Sequence, residues 1–199
     1  MRNNDVRQKL INGTIHVVAN EGLDKASTKL IGKTTNTNEV YIYRCFKDKE
    51  DMLAKTFDYL DEELFEMAMK YVQVMKSTNL EWEVRCRLYF SSMWGFLLGN
   101  KDKCLTYLRY FYSTYFTKNS ATMHYERFVP LIEEFKEAFK DEADVWMILN
   151  HILNVMLDFA AKVHNGLMPS EDNYSEHVFR VIYASIKQYF RKYGENAFL

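Results

Sequence analysis

Residues 27–49 read STKLIGKTTNTNEVYIYRCFKDK, and the organisation of the chain follows from them. Ser27 suits a helix N-cap, because its hydroxyl can accept from an orphan amide of the first turn; it predicts a helix over Thr28–Thr35. The run Thr34-Thr35-Asn36-Thr37-Asn38 is rich in turn formers, and Asn tolerates the left-handed conformation better than other non-glycine residues. Asn38 can cap a third, short helix over Glu39–Cys45. Asp48 can cap a long fourth helix whose first turn holds Glu50 and Asp51, where the helix dipole favours acids. Upstream, Ile11, Ile15 and Val18, flanked by Leu10 and Val17, recur at helical spacing from Asn4 to Glu21, and Gly22 stops that helix. Two short helices joined by a tight polar turn, with a third before them, describe a helix-turn-helix. Such a unit lays its second helix in the major groove with its first residues at the base edges.

Beyond this head the pattern stays helical. The fourth helix carries Leu53, Phe57, Leu60, Leu64, Met67, Tyr71 and Met75 and ends near Ser77. A fifth helix is predicted over Leu80–Leu98 and a sixth over Asp102–Phe116. A seventh spans Ala121–Phe139, kinked or interrupted near Pro130. An eighth runs from Asp144 to His164 and is stopped by Asn165-Gly166, and a ninth runs from Glu171 to Tyr193, closed by Gly194. No β-type alternation, internal repeat or low-complexity segment is apparent. The fold class is therefore all-α with about nine helices, divided into a head over residues 1–47 and a helical body over residues 48–199.

Composition agrees. Apolar residues make up 48% of the 199, enough for a sizeable core, and the low count of 7 Gly and 2 Pro favours long helices over a turn-rich β protein. Nine basic and five acidic residues lie at or before Lys49, a balance of +4 that leaves −5 for the rest. A basic head on an acidic body fits a protein that meets phosphates at one end. Cys45, Cys86 and Cys104 are too scattered for a disulfide framework or a zinc site, so reduced thiols and no metal are expected. The polar N-terminus lacks a signal-type apolar core and no run is long enough to span a bilayer, so the chain is expected to be cytoplasmic. The five His are scattered without ligand spacing, and no phosphate loop, nucleophile elbow or paired-carboxylate motif is present; neither catalysis nor a cofactor is expected.

The stretch IGKTTNTNEVYIYRCFKDKEDML (31–53) resembles the DNA-binding signature of the TetR family of bacterial regulators. Ile31 and Gly32 stand at the family's Ile-Ala positions, and Ile42, Tyr43, Phe46 and Lys49 at its aliphatic, Tyr, Phe and Lys positions. Upstream, Gly22-Leu23 and Ala26-Ser27 also fit. Asn36, Thr37 and Asn38 replace the family's turn Gly, buried Val and capping Ser. Thr37 thus places a hydroxyl where the family buries a methyl, which costs stability unless the hydroxyl is hydrogen-bonded.

The resemblance implies that Tyr43 and Lys49 bind phosphates, with Ser27 and Lys29 adding backbone contacts. Glu39, Val40 and Tyr41, after the Asn38 cap, would read bases: Glu39 can accept from cytosine N4, and Val40 and Tyr41 can meet thymine methyls. No Arg stands among them for guanine; Arg44, one turn on, can reach a phosphate or a base edge. Phe46 is expected to pack within the head, and Tyr43 to pack its ring while presenting its hydroxyl.

In the body, six of the ten residues from Tyr107 to Phe116 are aromatic, more than one helical face can bury. They make either a core of large residues or a cavity suited to a flat apolar or cationic ligand. Candidate lining residues are Trp94, Tyr107, Tyr110, Phe111 and Met156. The resemblance further implies a small-molecule effector and a homodimer through the last two helices, hence a palindromic site on double-stranded DNA. The expected function is a repressor released from its operator by a small apolar or aromatic ligand. The alternative is a helical ligand- or protein-binding module that has lost sequence-specific DNA binding.

Overall fold

The structure, a computed structural model, describes residues 3–77 and 79–191. Over them the chain is all-α: α1 (Asn3–Glu21), α2 (Thr28–Thr35), α3 (Glu39–Cys45), α4 (Lys49–Met75), α5 (Trp82–Gly99), α6 (Lys101–Phe111), α7 (Lys118–Lys136), α8 (Val145–His164) and α9 (Asp172–Ile186). An isolated antiparallel bridge joins Phe139 and Phe190. No helix among the described residues is long and apolar enough to cross a membrane. The chain divides into two compact units. One holds the residues up to Glu63 with Asn100–His124, the other Leu64–Gly99 with the residues from Tyr125 on.

In the first unit α1 packs on α2, α3 and α6. Its Leu10, Ile11, Ile15, Val17 and Val18 are buried, as their spacing predicts. The Thr106 hydroxyl of α6 donates to the Ile15 carbonyl at 2.8 Å, and the Arg109 guanidinium donates to that of Val18. Gly13 sets how closely α1 approaches α2: a Cβ there would stand 2.1 Å from Thr35 Cγ2. Gly13→Ala therefore destabilises the head by about 1–3 kcal/mol, despite the better helix propensity of Ala. Adding Thr35→Ser, which deletes that methyl and keeps the hydroxyl bonded to the Ile31 carbonyl, restores most of the loss in urea denaturation. A Gly13→Ala protein as stable as the wild type overturns the assignment.

The buried stripe of α4 begins as predicted with Leu53, Phe57, Leu60 and Leu64, but continues through Ala68, Val72 and Met75, leaving Met67 and Tyr71 half-buried. A straight α-helix has 3.6 residues per turn, so its inward face drifts away from a strict seven-residue spacing.

In the second unit α5 packs on α8 and α9, and α8 on α9. The Asp144 carboxylate caps α8 by accepting from the Met147 amide at 2.9 Å, and Gly166 leaves the helix at φ +69. Val178, Phe179, Ile182 and Ile186 form the buried face of α9. Arg85 is buried in α5, where its Nε donates to the Leu80 carbonyl at 2.7 Å and its Nη1 to the Met75 carbonyl at 3.3 Å.

The largest differences from the sequence reading lie at the ends of α6, α7 and α9, with α7 ending at Lys136 rather than Phe139. α6 stops at Phe111 rather than Phe116, because the Ser113 hydroxyl donates to the Tyr110 carbonyl (2.7 Å) and accepts from the Tyr115 amide (3.2 Å), offering the backbone a turn in place of a helix. α7 starts earlier, where the Thr117 hydroxyl accepts from the Ser120 amide, and runs unbroken through Pro130. α9 ends at Ile186 in a 3-10 turn over Lys187–Tyr189. There the chain pairs instead with residues 138–140, through Lys140 N–H to the Tyr189 carbonyl and Arg191 N–H to that of Ala138. Tyr193 and Gly194 lie outside the described residues.

Burial pushes the thiols of Cys86 and Cys104 up to about 12, whereas Cys45 is half-buried at the end of α3.

Candidate nucleic-acid interface

The helix-turn-helix is assembled by local hydrogen bonds. The Ser27 hydroxyl accepts from the Leu30 amide at 3.2 Å and starts α2. Asn36 ends it in the left-handed region, at φ 47 and ψ 49. The Thr37 amide reaches back to the Gly32 carbonyl at 2.8 Å and the Asn36 amide to that of Lys33 at 3.2 Å. These two bonds are a Schellman ending, with Asn in the place usually given to Gly. Gly32 is needed for it, since a Cβ there would meet the Thr37 carbonyl oxygen at 2.9 Å. The Asn38 side chain then accepts from the Val40 amide at 3.0 Å and starts α3. The Thr37 hydroxyl, half-buried, donates to the Thr35 carbonyl at 3.3 Å, which offsets its desolvation.

Helix α4 begins just as firmly. The Asp48 carboxylate accepts from the Asp51 amide at 2.8 Å, and the Asp51 carboxylate from the Lys47 amide at 3.0 Å. The exchange is a close variant of the capping box.

The predicted contact residues are distributed around this frame. Ile42 and Phe46 are buried and fix α3 from beneath, with the Arg7 guanidinium 5.5 Å from the Phe46 ring centre. Val40, Tyr41 and Tyr43 are exposed by 56%, 48% and 58%, so three large side chains of α3 stand in water. Tyr43 was expected to pack its ring within the head; on a two-turn helix Ile42 takes the inward position and Tyr43 is turned aside. Ser27, Lys29, Asn38, Glu39 and Arg44 are exposed as well. Lys49 is half-buried: its ammonium donates to the Leu23 carbonyl at 3.2 Å and lies 5.6 Å from the Tyr115 ring centre. It fastens the α1–α2 connection while keeping further donors for an anion.

Lys29 and Lys33, four residues apart on α2, line an open groove with Gly32, Asn36, Thr37, Asn38 and Glu39. Lys33 and Asn36 were not picked as contacts from the sequence. The i,i+4 pairing of the two lysines on one helix face is the signal that could have found Lys33.

The five candidate pocket residues fall in both units. Trp94 and Met156 are buried in the second, Trp94 stacked on Phe90 at 5.8 Å. In the first, Tyr107 and Tyr110 are buried and Phe111 half-buried. Phe57 lies 5.0 Å from Tyr107 and 4.7 Å from Tyr110, and Phe111 lies 4.6 Å from Phe116. Burial raises the Tyr110 phenol, keeping it a neutral donor to the Tyr115 carbonyl. Tyr112 takes the excess outward, exposed by 67%.

Inside this aromatic group sits a fully buried carboxylate. Asp61 accepts from the Tyr107 hydroxyl at 3.0 Å and lies 2.8 Å from His124 Nδ1. No cluster of three metal-ligating side chains occurs among the described residues.

No family model and no curated protein matches the sequence. Solved structures do. The fold is similar to that of a TetR family transcription regulator from Marinobacter aquaeolei VT8, at 16% identity and TM-score 0.76, over 93% of this chain and 98% of that one. A putative regulator of the same family from Shewanella sp. PV-4 superposes at 12% identity and TM-score 0.73, over 90% and 96%. The transcriptional regulator FadR from Bacillus subtilis, solved in complex with stearoyl-CoA, does so at 16% identity and TM-score 0.64, over 88% and 96%. The all-α order, the capped helix-turn-helix and these superpositions agree: the chain has the TetR-family fold.

Proposed function

We propose that the protein is a DNA-binding transcriptional regulator, acting as a homodimeric repressor released from a palindromic operator by a small apolar or aromatic ligand. The observation that carries this reading is the hydrogen-bonded turn between α2 and α3. Capped on both sides, it presents Glu39, Val40 and Tyr41 outward at the start of a recognition helix. Residues 1–47 would contact DNA, and residues 48–199 would bind the effector and dimerise. Met147 on α8 and Val181 on α9, each more than half exposed, offer apolar surface to a second copy. The buried rings of both units suit an apolar or aromatic effector, and the stearoyl-CoA carried by Bacillus subtilis FadR is support by analogy of fold. A ligand that favours a shifted α4 by a few kcal/mol would move the two reading heads out of register with successive grooves.

A gel shift against the DNA upstream of the protein's own coding region tests the proposal. A discrete complex that survives excess competitor DNA is expected, and its absence favours a module without sequence-specific DNA binding. Lys49→Ala weakens the complex on all sequences and lowers the slope of log affinity against log salt by about one. An unchanged slope removes Lys49 from the phosphate contacts.

A further inference from the structure

We propose that Arg44, held by Tyr41, reads a guanine in the operator; this rests on the DNA-binding reading above. Successive residues of an α-helix are turned by about 100°. Ile42 is the buried side chain of α3 and marks its inward direction. Tyr41 and Tyr43 then lie about 100° to either side of Ile42, while Val40 and Arg44 lie about 160° away on either hand. The ridge that points furthest from the body of the head is therefore Val40 and Arg44. When α3 lies in the major groove, this ridge meets the base edges and the flanks meet the phosphate walls. Arg44 belongs with the base-reading residues, although it stands in the last turn of α3.

Arg44 Cζ lies 5.3 Å from the centre of the Tyr41 ring. Among the described residues no carboxylate pairs with Arg44. A guanidinium held over a ring in this way keeps N–H donors for a further partner, and their fork geometry matches the O6 and N7 acceptors of guanine. The ring also limits the conformations that a long exposed side chain would lose on binding, so Tyr41 acts as a positioning residue for Arg44.

Selection of binding sites from a randomised duplex library with the full-length protein tests the pair. The wild type enriches half-sites with one guanine preferred about tenfold or more over the next base. Arg44→Ala abolishes the preference at that position and leaves the others. Tyr41→Leu weakens it severalfold, and Tyr41→Phe, which keeps the ring, retains it. An enriched operator whose guanine preference survives Arg44→Ala overturns the inference alone. So does an Arg44→Ala protein that loses affinity equally on every sequence while its salt slope falls by about one, which would make Arg44 a phosphate contact. A wild type that enriches no sequence overturns the DNA-binding reading, and this inference with it.

Discussion

Asp61→Ala lowers stability by about 3–5 kcal/mol, the cost of taking a wholly buried acceptor away from both the Tyr107 hydroxyl and the His124 ring. For a chain of this length that is a fall in Tm of roughly 10 °C. Asp61 is wholly buried at the end of the first unit's share of α4, and the Tyr107 hydroxyl and His124 Nδ1 converge on the same carboxylate oxygen. Water cannot replace that oxygen without opening a site packed by Phe111 and Phe116, whose rings lie edge-on to His124. Tyr107→Phe removes a single bond and costs about 1 kcal/mol. The double variant then loses less than the sum of the two, because the Tyr107 hydroxyl stranded by Asp61→Ala is absent from the double variant. Urea denaturation followed by circular dichroism reads all three. Additive losses would mean that the tyrosine and the aspartate do not act as a unit.

Arg85→Ala is the second large effect, a loss of about 3 kcal/mol within the second unit. Its guanidinium bonds the last carbonyl of α4 and the carbonyl of Leu80, so one side chain closes the connection between α4 and α5. The last carbonyls of a helix have no partner within it, and here a side chain from the next helix supplies one. Arg85→Lys recovers only part of the loss, because an ammonium cannot span both carbonyls as a planar fork does. Protease cleavage near Ser77 should rise in Arg85→Ala and stay low in the wild type. Equal cleavage of the two proteins would remove this role from Arg85.

The head was legible because its structure is local. Thr28–Thr35 and Glu39–Cys45 are helices between the bounds their caps announce, and Asn36 adopts the left-handed turn expected of it. Ser27, Asn38 and Asp48 each act within three residues of themselves, so chain order suffices to find them. The Asp61 site was not legible. It joins α4, α6 and α7 across separations of 46 and 63 residues, and no local rule links the three. A hint did exist, since Asp61 stands between Leu60 and Leu64 on the apolar face of α4, where an unpaired acid would be costly. The early ends of α6 and α9 were missed for a related reason. A serine hydroxyl competes for the backbone in one, and pairing with residues 138–140 captures the chain in the other. From chain order Glu39, Val40 and Tyr41 are the base-reading candidates and Arg44 stands between phosphate and base edge, whereas the rotation of α3 about the buried Ile42 places Arg44 among the outermost.

The three thiols bear on how the reading head can be watched. Cys86 and Cys104 are shifted so far up by burial that almost none of either is thiolate near neutral pH, and the thiolate is the species that attacks a maleimide. Cys45, half-buried in the last turn of α3, is the thiol on the proposed recognition helix. A fluorophore attached there without deleting either other cysteine would sit one residue from Arg44 and test in real time whether DNA docks on α3 as proposed. The wild-type sequence thus carries its own attachment point for a docking sensor.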